Sequence, residues 1–182
     1  MDEKDKKLLL EIARESIYAV IDKEEPFLKP YKHISEERGC FVTLYKNKKL
    51  RGCIGFTEPI YPLYKLISEA AKAAAFSDPR FDPIRKEEVP KLQIEISLLT
   101  QPELIKVEKP EDYLREIVIG RDGLMIKGAF GSGLLLPQVA IDHNMTVKQF
   151  LHAVCQKAGL SFNAWEDLKN KLYRFQAEII RE

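Results

Sequence analysis

The sequence predicts an α+β fold, a main antiparallel sheet covered by helices with a small inserted β lobe. Three observations predict it. Helical and strand periodicities are mixed along the chain, without the regular strand–helix alternation that a doubly wound sheet requires. Residues 92–99 alternate Leu92, Ile94, Ile96 and Leu98 with Gln93, Glu95 and Ser97, the pattern of a half-buried strand in an antiparallel sheet with one open face. Short apolar runs at 117–119, 124–126 and 134–136 supply a separate, smaller sheet. The larger lobe takes about residues 1–102 and 137–182 and the smaller one about 103–136, within a single domain.

Each element has its own signal. Leu8, Leu9, Ile12, Ala13, Ser16, Ile17, Val20 and Ile21 recur at helical spacing and predict an amphipathic helix over residues 3–23. Residues 38–45 and 50–56 read as strands joined at Asn47-Lys48. A two-residue turn there sets Tyr45 opposite Leu50, Thr43 opposite Gly52 and Val42 opposite Cys53. Cys40 then faces Gly55 and becomes a diagonal neighbour of Cys53, about 7–8 Å away and too far for an unstrained disulfide. Residues 60–76 form a second helix, whose stripe of Leu63, Leu66, Ile67, Ala70, Ala71 and Ala74 permits close packing. Ser77-Asp78-Pro79 stops it.

Residues 111–115 read as a short helix. Gly120-Arg121-Asp122-Gly123 lies between two apolar runs and suits a tight hairpin turn. Thr146-Val147-Lys148-Gln149 matches a capping box, followed by a helix with Phe150, Leu151, Val154, Cys155 and Ala158 on its apolar side and Gly159 at its end. Residues 172–180 read as a last strand.

Bulk composition excludes several function classes. The chain has 182 residues, 45% apolar and 31% charged, with a net charge of +1, ordinary for a globular protein with a real core. Basic and acidic residues are interspersed, which argues against nucleic-acid binding. Lys46, Lys48 and Lys49 form the densest basic run and fall in a turn, where lysines are solvated. The charged N-terminus has no hydrophobic signal region behind it, and no apolar run approaches membrane-spanning length. Three cysteines at unrelated spacings make neither a disulfide framework nor a zinc site, so a reduced, cytoplasmic protein is expected. The three histidines are scattered, no metal site is expected, and no cofactor is indicated.

Leu50-Arg51-Gly52-Cys53-Ile54-Gly55 is the most informative stretch. Strand alternation places Arg51, Cys53 and Gly55 on one face and Gly52 on the apolar one. Arg51 is positioned to favour a thiolate at Cys53 or to bind an anion, while Gly52 and Gly55 leave the backbone bare for a ligand. In Asp78-Pro79-Arg80-Phe81-Asp82-Pro83 a stiff loop either pairs Arg80 with an aspartate or presents it to a carboxylate or phosphate. Gly128-Ala129-Phe130-Gly131-Ser132-Gly133 lacks the spacing and the following helix of a phosphate-binding loop, and reads as a loop or tight hairpin. Gln138 in Leu136-Pro137-Gln138-Val139 is a backbone bracket or a ligand contact. Cys155 is a core residue. His143 and His152 lack an acidic partner at helical spacing, so neither stands out as a general base.

These motifs occur in a fixed order. The Arg51–Gly55 stretch is followed by Ser77-Asp78-Pro79-Arg80-Phe81, then by Gly133-Leu134-Leu135-Leu136-Pro137-Gln138-Val139, then by Phe150-Leu151, Cys155, Lys157-Ala158-Gly159-Leu160 and Trp165. Together they resemble the AMMECR domain family over nearly the whole chain. The resemblance implies an α+β fold with a larger part holding both termini and a smaller inserted lobe, in a prokaryotic-type cytoplasmic protein. It places the suspected functional centre at Arg51 through Gly55. It also implies Memo-like and radical S-adenosylmethionine proteins as partners in a shared modification pathway. Asp78 between Ser77 and Pro79, and the absence of a Trp from residues 141–145, depart from the family pattern.

Two functional readings follow. One is a thiol-dependent enzyme with Cys53 as nucleophile or redox thiol and Arg51 orienting a small anionic substrate or modification intermediate, with Gly52, Gly55, Arg80 and Gln138 as binding residues. The other is a non-catalytic module that binds a ligand or a protein partner with the same face.

Overall fold

Asp2 begins the first element by accepting the Asp5 backbone N–H at 2.7 Å, which satisfies one of the free amides of a helix start. The helix α1 (Glu3–Asp22) stops where Lys23 turns left-handed, at φ 59°. The computed structural model describes Met1–Glu182 as two units: Met1–Leu99 with Glu178–Glu182, and Thr100–Ala177. The first holds α1, β1 (Cys40–Lys46), β2 (Lys49–Phe56), α2 (Leu63–Phe76) and β3 (Leu92–Leu99). The second holds β4 (Glu103–Leu104), α3 (Tyr113–Glu116), β5 (Gly123–Gly128), β6 (Gly131–Leu135), α4 (Pro137–Asp142), α5 (Val147–Lys157) and β7 (Lys171–Phe175). The chain then returns to the first sheet as β8 (Ala177–Arg181). Two four-stranded antiparallel sheets with helices make the fold α+β. No helix is long and apolar enough to cross a membrane.

The first sheet runs β2-β1-β3-β8. Cys40, Val42 and Leu44 of β1 lie opposite Leu98, Ile96 and Ile94 of β3, and all six are buried in one core with Leu9, Ile12 and Ile17 of α1 and the alanine stripe of α2. Ser16 is buried in the same place and is satisfied by the Ile12 carbonyl at 2.6 Å and by Ser68 Oγ at 2.8 Å. Strand β3 differs from the half-open pattern. Gln93 is exposed, but Glu95 and Ser97 are buried, and Glu95 tolerates burial by pairing with Arg181.

The β1–β2 hairpin turns at Asn47 and Lys48, both at positive φ (52° and 61°), the mirror-image turn whose twist matches two strands. Tyr45 faces Leu50 as expected, but a bulge follows. Leu44 pairs with Gly52, Thr43 with Cys53, Phe41 with Gly55 and Cys40 with Phe56. The extra residue is Arg51. It shifts the register by one beyond the turn, which puts Cys40 and Cys53 on opposite faces. Their expected diagonal proximity is therefore corrected, as is the alternation that placed Arg51 beside Cys53.

The second sheet runs β4-β7-β5-β6. Its core gathers Leu124 and Ile126 of β5, Leu172 of β7, Phe150, Leu151, Val154 and Cys155 of α5, and Trp165. The capping box forms as expected: the Thr146 hydroxyl accepts the Gln149 amide at 3.3 Å, and Gln149 Oε1 accepts the Thr146 amide at 2.8 Å. Gly159 follows α5 at φ 71°.

Residues 117–119 are not a strand. Buried Asp122 turns back, accepting the Val118 amide at 2.9 Å and Nε and Nη2 of Arg121, each at 2.8 Å, so Asp122-Gly123 leads into β5 instead of turning a hairpin. The glycine-rich stretch makes that hairpin, between β5 and β6. Gly131 belongs to β6 and not to a loop, since it pairs with Gly128 of β5, and a Cβ there would meet the Ala158 carbonyl. The expected last strand is two. Gln176 exchanges hydrogen bonds with Thr100, one to its hydroxyl at 2.9 Å and one from its amide at 2.9 Å, and divides β7 in one sheet from β8 in the other. The second unit accordingly runs to Ala177 and includes α5 and β7, where the sequence had suggested closure near residue 136.

Candidate functional site

Strand β2 is an edge of the first sheet, so alternate residues turn their N–H and C=O away from β1. At Cys53 both groups find partners from the loop after α2. The Cys53 amide donates to Asp78 Oδ2 at 2.9 Å, and Arg80 Nη2 donates to the Cys53 carbonyl at 3.2 Å. Asp78 and Arg80 are themselves locked together, Nε to Oδ1 at 2.9 Å and Nη2 to Oδ2 at 2.7 Å, with the Arg80 amide on Oδ1 at 3.1 Å. One carboxylate and one guanidinium thus stand in for a neighbouring strand.

The electrostatics follow this clamp. Asp78 is 4% exposed, yet its hydrogen bonds from Arg80 hold its carboxyl well below the usual carboxylate range against the effect of burial. Arg80 is raised, first by its bonds to Asp78, with Cys53 acting in the same direction. The Cys53 side chain is half-buried and shares its face with Thr43, whose hydroxyl donates to Sγ at 3.2 Å. The other thiols differ. Cys40 is fully buried and pushed up to about 12 by that burial, and Cys155 is buried and pushed up for the same reason.

Arg51 is engaged elsewhere. Its Nε and Nη2 each donate to Glu88 at 3.2 Å, and its Nη1 donates to the Asp82 carbonyl at 2.8 Å. Glu88 also accepts Lys46 Nζ at 2.8 Å and the Arg85 amide at 3.1 Å. The Arg51 bonds, followed by that of Lys46, bring the Glu88 carboxyl down to about 2. This bracket lines a cleft of about 410 Å³ with Arg85 and Lys91. The space beside Gly52 is filled by the Ala74 carbonyl of α2, and that beside Gly55 by the Cys40 carbonyl and the Phe41 ring. Both glycines let neighbours approach closely. Gln138 is half-buried in the first turn of α4, in the second unit.

Of the residues singled out by sequence, Cys53 and Arg80 come together through Asp78. The guanidinium beside the thiol is that of Arg80. Thr43 and Glu88 carried no sequence signal. Thr43 reaches Cys53 only because the bulge moves the register, and Glu88 lies 37 residues from Arg51. An aspartate partner for Arg80 was visible in the loop, but not that it is Asp78, nor that Asp78 also accepts the Cys53 amide.

The AMMECR1 family model matches residues 10–180. Protein MJ0810 of Methanocaldococcus jannaschii is 51% identical over 150 residues, 81% of this chain and 75% of that one. Protein PYRAB00100 of Pyrococcus abyssi is 44% identical over 182 residues, 96% of this chain and 88% of that one. Among solved structures, that of the uncharacterized protein PH0010 from Pyrococcus horikoshii is similar with a TM-score of 0.90 and 41% identity, covering 100% of this chain and 93% of that one.

Proposed function

The chain belongs to the AMMECR1 family, and from that premise we propose that it is a thiol-dependent enzyme whose reactive group is Cys53, acting on a small anionic substrate. The observation that carries the reading is the pair of polar groups at this one thiol: a hydroxyl donating to Sγ and a guanidinium held alongside by Asp78. Donors and positive charge near sulfur favour the thiolate, which is the nucleophile. The Arg80 side chain is 54% exposed while its Nε and Nη2 are engaged, so Nη1 is the donor offered to an anion. Arg80 takes the role first read into Arg51. The alternative of a binding module on the same face is weakened in its simplest form, since strand addition at Cys53 would displace the Asp78–Arg80 clamp.

Brief iodoacetamide treatment of the native chain, mapped by mass, tests this. Cys53 should be labelled first, well ahead of Cys40 and Cys155, and Arg80→Gln should slow it. A Cys53 that labels no faster than Cys155 would sink the nucleophile reading.

A further inference from the structure

The second unit has its own arginine anchored on a buried aspartate. Asp122 is 1% exposed and accepts Nε and Nη2 of Arg121, each at 2.8 Å, and the Val118 amide at 2.9 Å. Burial works to raise its carboxyl, but the Arg121 bonds, the Val118 amide and the charge of Arg174 outweigh that and hold it below its ordinary value. Arg121 is fixed by this pairing while its side chain stays 48% exposed, and its Nη1 is turned to neither oxygen of Asp122. Gly123 pairs with Phe175, so Asp122 comes beside the end of β7. Arg174 of β7 is held loosely there. Its Nε is 3.7 Å from the Glu103 carboxylate, and its Nη1 is 3.7 Å from the Glu116 carboxylate and 3.5 Å from the Glu116 carbonyl. Nη2 takes part in none of these contacts. The two arginines line one cleft of about 320 Å³ with Thr100, Glu103 and Gln176.

We propose that this cleft binds a phosphoryl group, as inorganic phosphate or the end of a phosphate monoester, between Arg121 and Arg174. Guanidinium donors make the strong, charge-assisted bonds that phosphate oxygens accept. Thr100 adds a hydroxyl whose oxygen already accepts the Gln176 amide and whose proton remains to be donated, and Gln176 adds a side-chain amide. The donors come from three stretches of chain: the loop before β5, strand β7, and the Thr100–Gln176 junction. A tetrahedral anion can meet all three, whereas a planar carboxylate offers two oxygens in one plane. Asp122 does not compete, because Arg121 already takes both of its oxygens. Glu103 does compete. Its side chain is 74% exposed, and at 3.7 Å it is beyond hydrogen-bond distance of Arg174, so a phosphoryl group displaces a weakly held carboxylate. The cleft lies within the second unit, and the proposal does not rest on the reading of Cys53.

The test is titration of the full chain with inorganic phosphate and with glycerol phosphate at low ionic strength, followed by the NMR signals of the arginine Nε–H groups and the backbone amides. The Nε–H signals of Arg121 and Arg174 and the amides of Asp122 and Gln176 should shift together along one saturating curve. R121Q and R174Q should each weaken binding by about tenfold or more, as expected for the loss of one charge-assisted hydrogen bond. E103Q should tighten it, because the carboxylate that competes for Arg174 is gone. K148Q, at an exposed position of α5, should leave it unchanged. If R121Q melts out because Asp122 is left buried without its partner, R174Q and E103Q decide. Tighter binding of glycerol phosphate than of phosphate would identify an ester as the ligand, and the reverse order would identify the ion. Shifts spread over surface lysines and equal in R174Q and the wild type overturn the proposal, as does an E103Q that binds no more tightly. Acetate bound as tightly as phosphate overturns the assignment to a phosphoryl group.

Discussion

Arg51 sits in the motif that draws attention to this chain, and its side chain serves the fold. Glu88 takes the Nε–Nη2 edge of its guanidinium and the Asp82 carbonyl takes Nη1, and the Arg51 and Glu88 side chains are each only 17% exposed. Lysine keeps the charge but loses the planar fork. Arg51→Lys should lower the unfolding free energy by about 1.5–3 kcal/mol, the range of one charge-assisted hydrogen bond, and leave Cys53 alkylation near its wild-type rate. Denaturant titration with parallel labelling checks both. The same bracket sets an acid limit. The Glu88 carboxyl falls from 4.5 to about 2 in the folded chain, and Asp78 is lowered as well. A depressed carboxyl stabilises the fold above its unfolded value and stops doing so as pH drops through its folded value. Stability should therefore decline from about pH 4.5 toward about pH 2, and Glu88→Gln should flatten part of that decline.

Strand β2 shows what alternation can and cannot disclose. The turn at Asn47-Lys48, both strands of the hairpin, helix α2 and strand β3 all follow from period and turn chemistry. An added residue in one strand leaves no trace in the pattern, because Leu50-Arg51-Gly52 reads equally well with or without a bulge. Everything that depends on register was hidden with it: Thr43 at the sulfur, the separation of Cys40 from Cys53, and the turn of Arg51 toward Glu88. The split at Gln176 was hidden for a related reason, since two strands one residue apart look like one long strand. Cys53 and Arg80 were legible because glycines beside a thiol and prolines around an arginine are unusual local chemistry. Gly52 was rightly placed on the apolar layer, and Gly131 was misread as a loop position. Gly52→Val should lower stability by about 1–3 kcal/mol or more through overpacking on Ala74. Gly131→Ala should lower the thermal midpoint too, by less, because its Cβ would press on the Ala158 carbonyl. An unaffected Gly131→Ala would mean that β6 and the end of α5 are further apart than described.

Each unit has its own hydrophobic core, Leu9 through Leu98 with Ile180 in the first and Ile105 through Leu172 in the second. That division leads to a prediction for the whole molecule. A chain in which residues 100–177 are replaced by a short Asn-Gly turn should still melt cooperatively and keep a labelled Cys53, since Thr43, Asp78 and Arg80 all belong to the first unit. Circular dichroism and alkylation would check it, and a broad, featureless melt would show that the first sheet needs the segment it carries. Thr100 and Gln176 explain why the exchange is feasible. The point where the chain leaves β3 and the point where it re-enters as β8 are joined by hydrogen bonds at 2.9 Å, so the first sheet registers only a tight bend, whatever length of polypeptide lies beyond it. The end of that bend is a socket. A reporter protein with adjacent termini could be plugged in there, and the thiol site would travel with its scaffold, independent of the cargo.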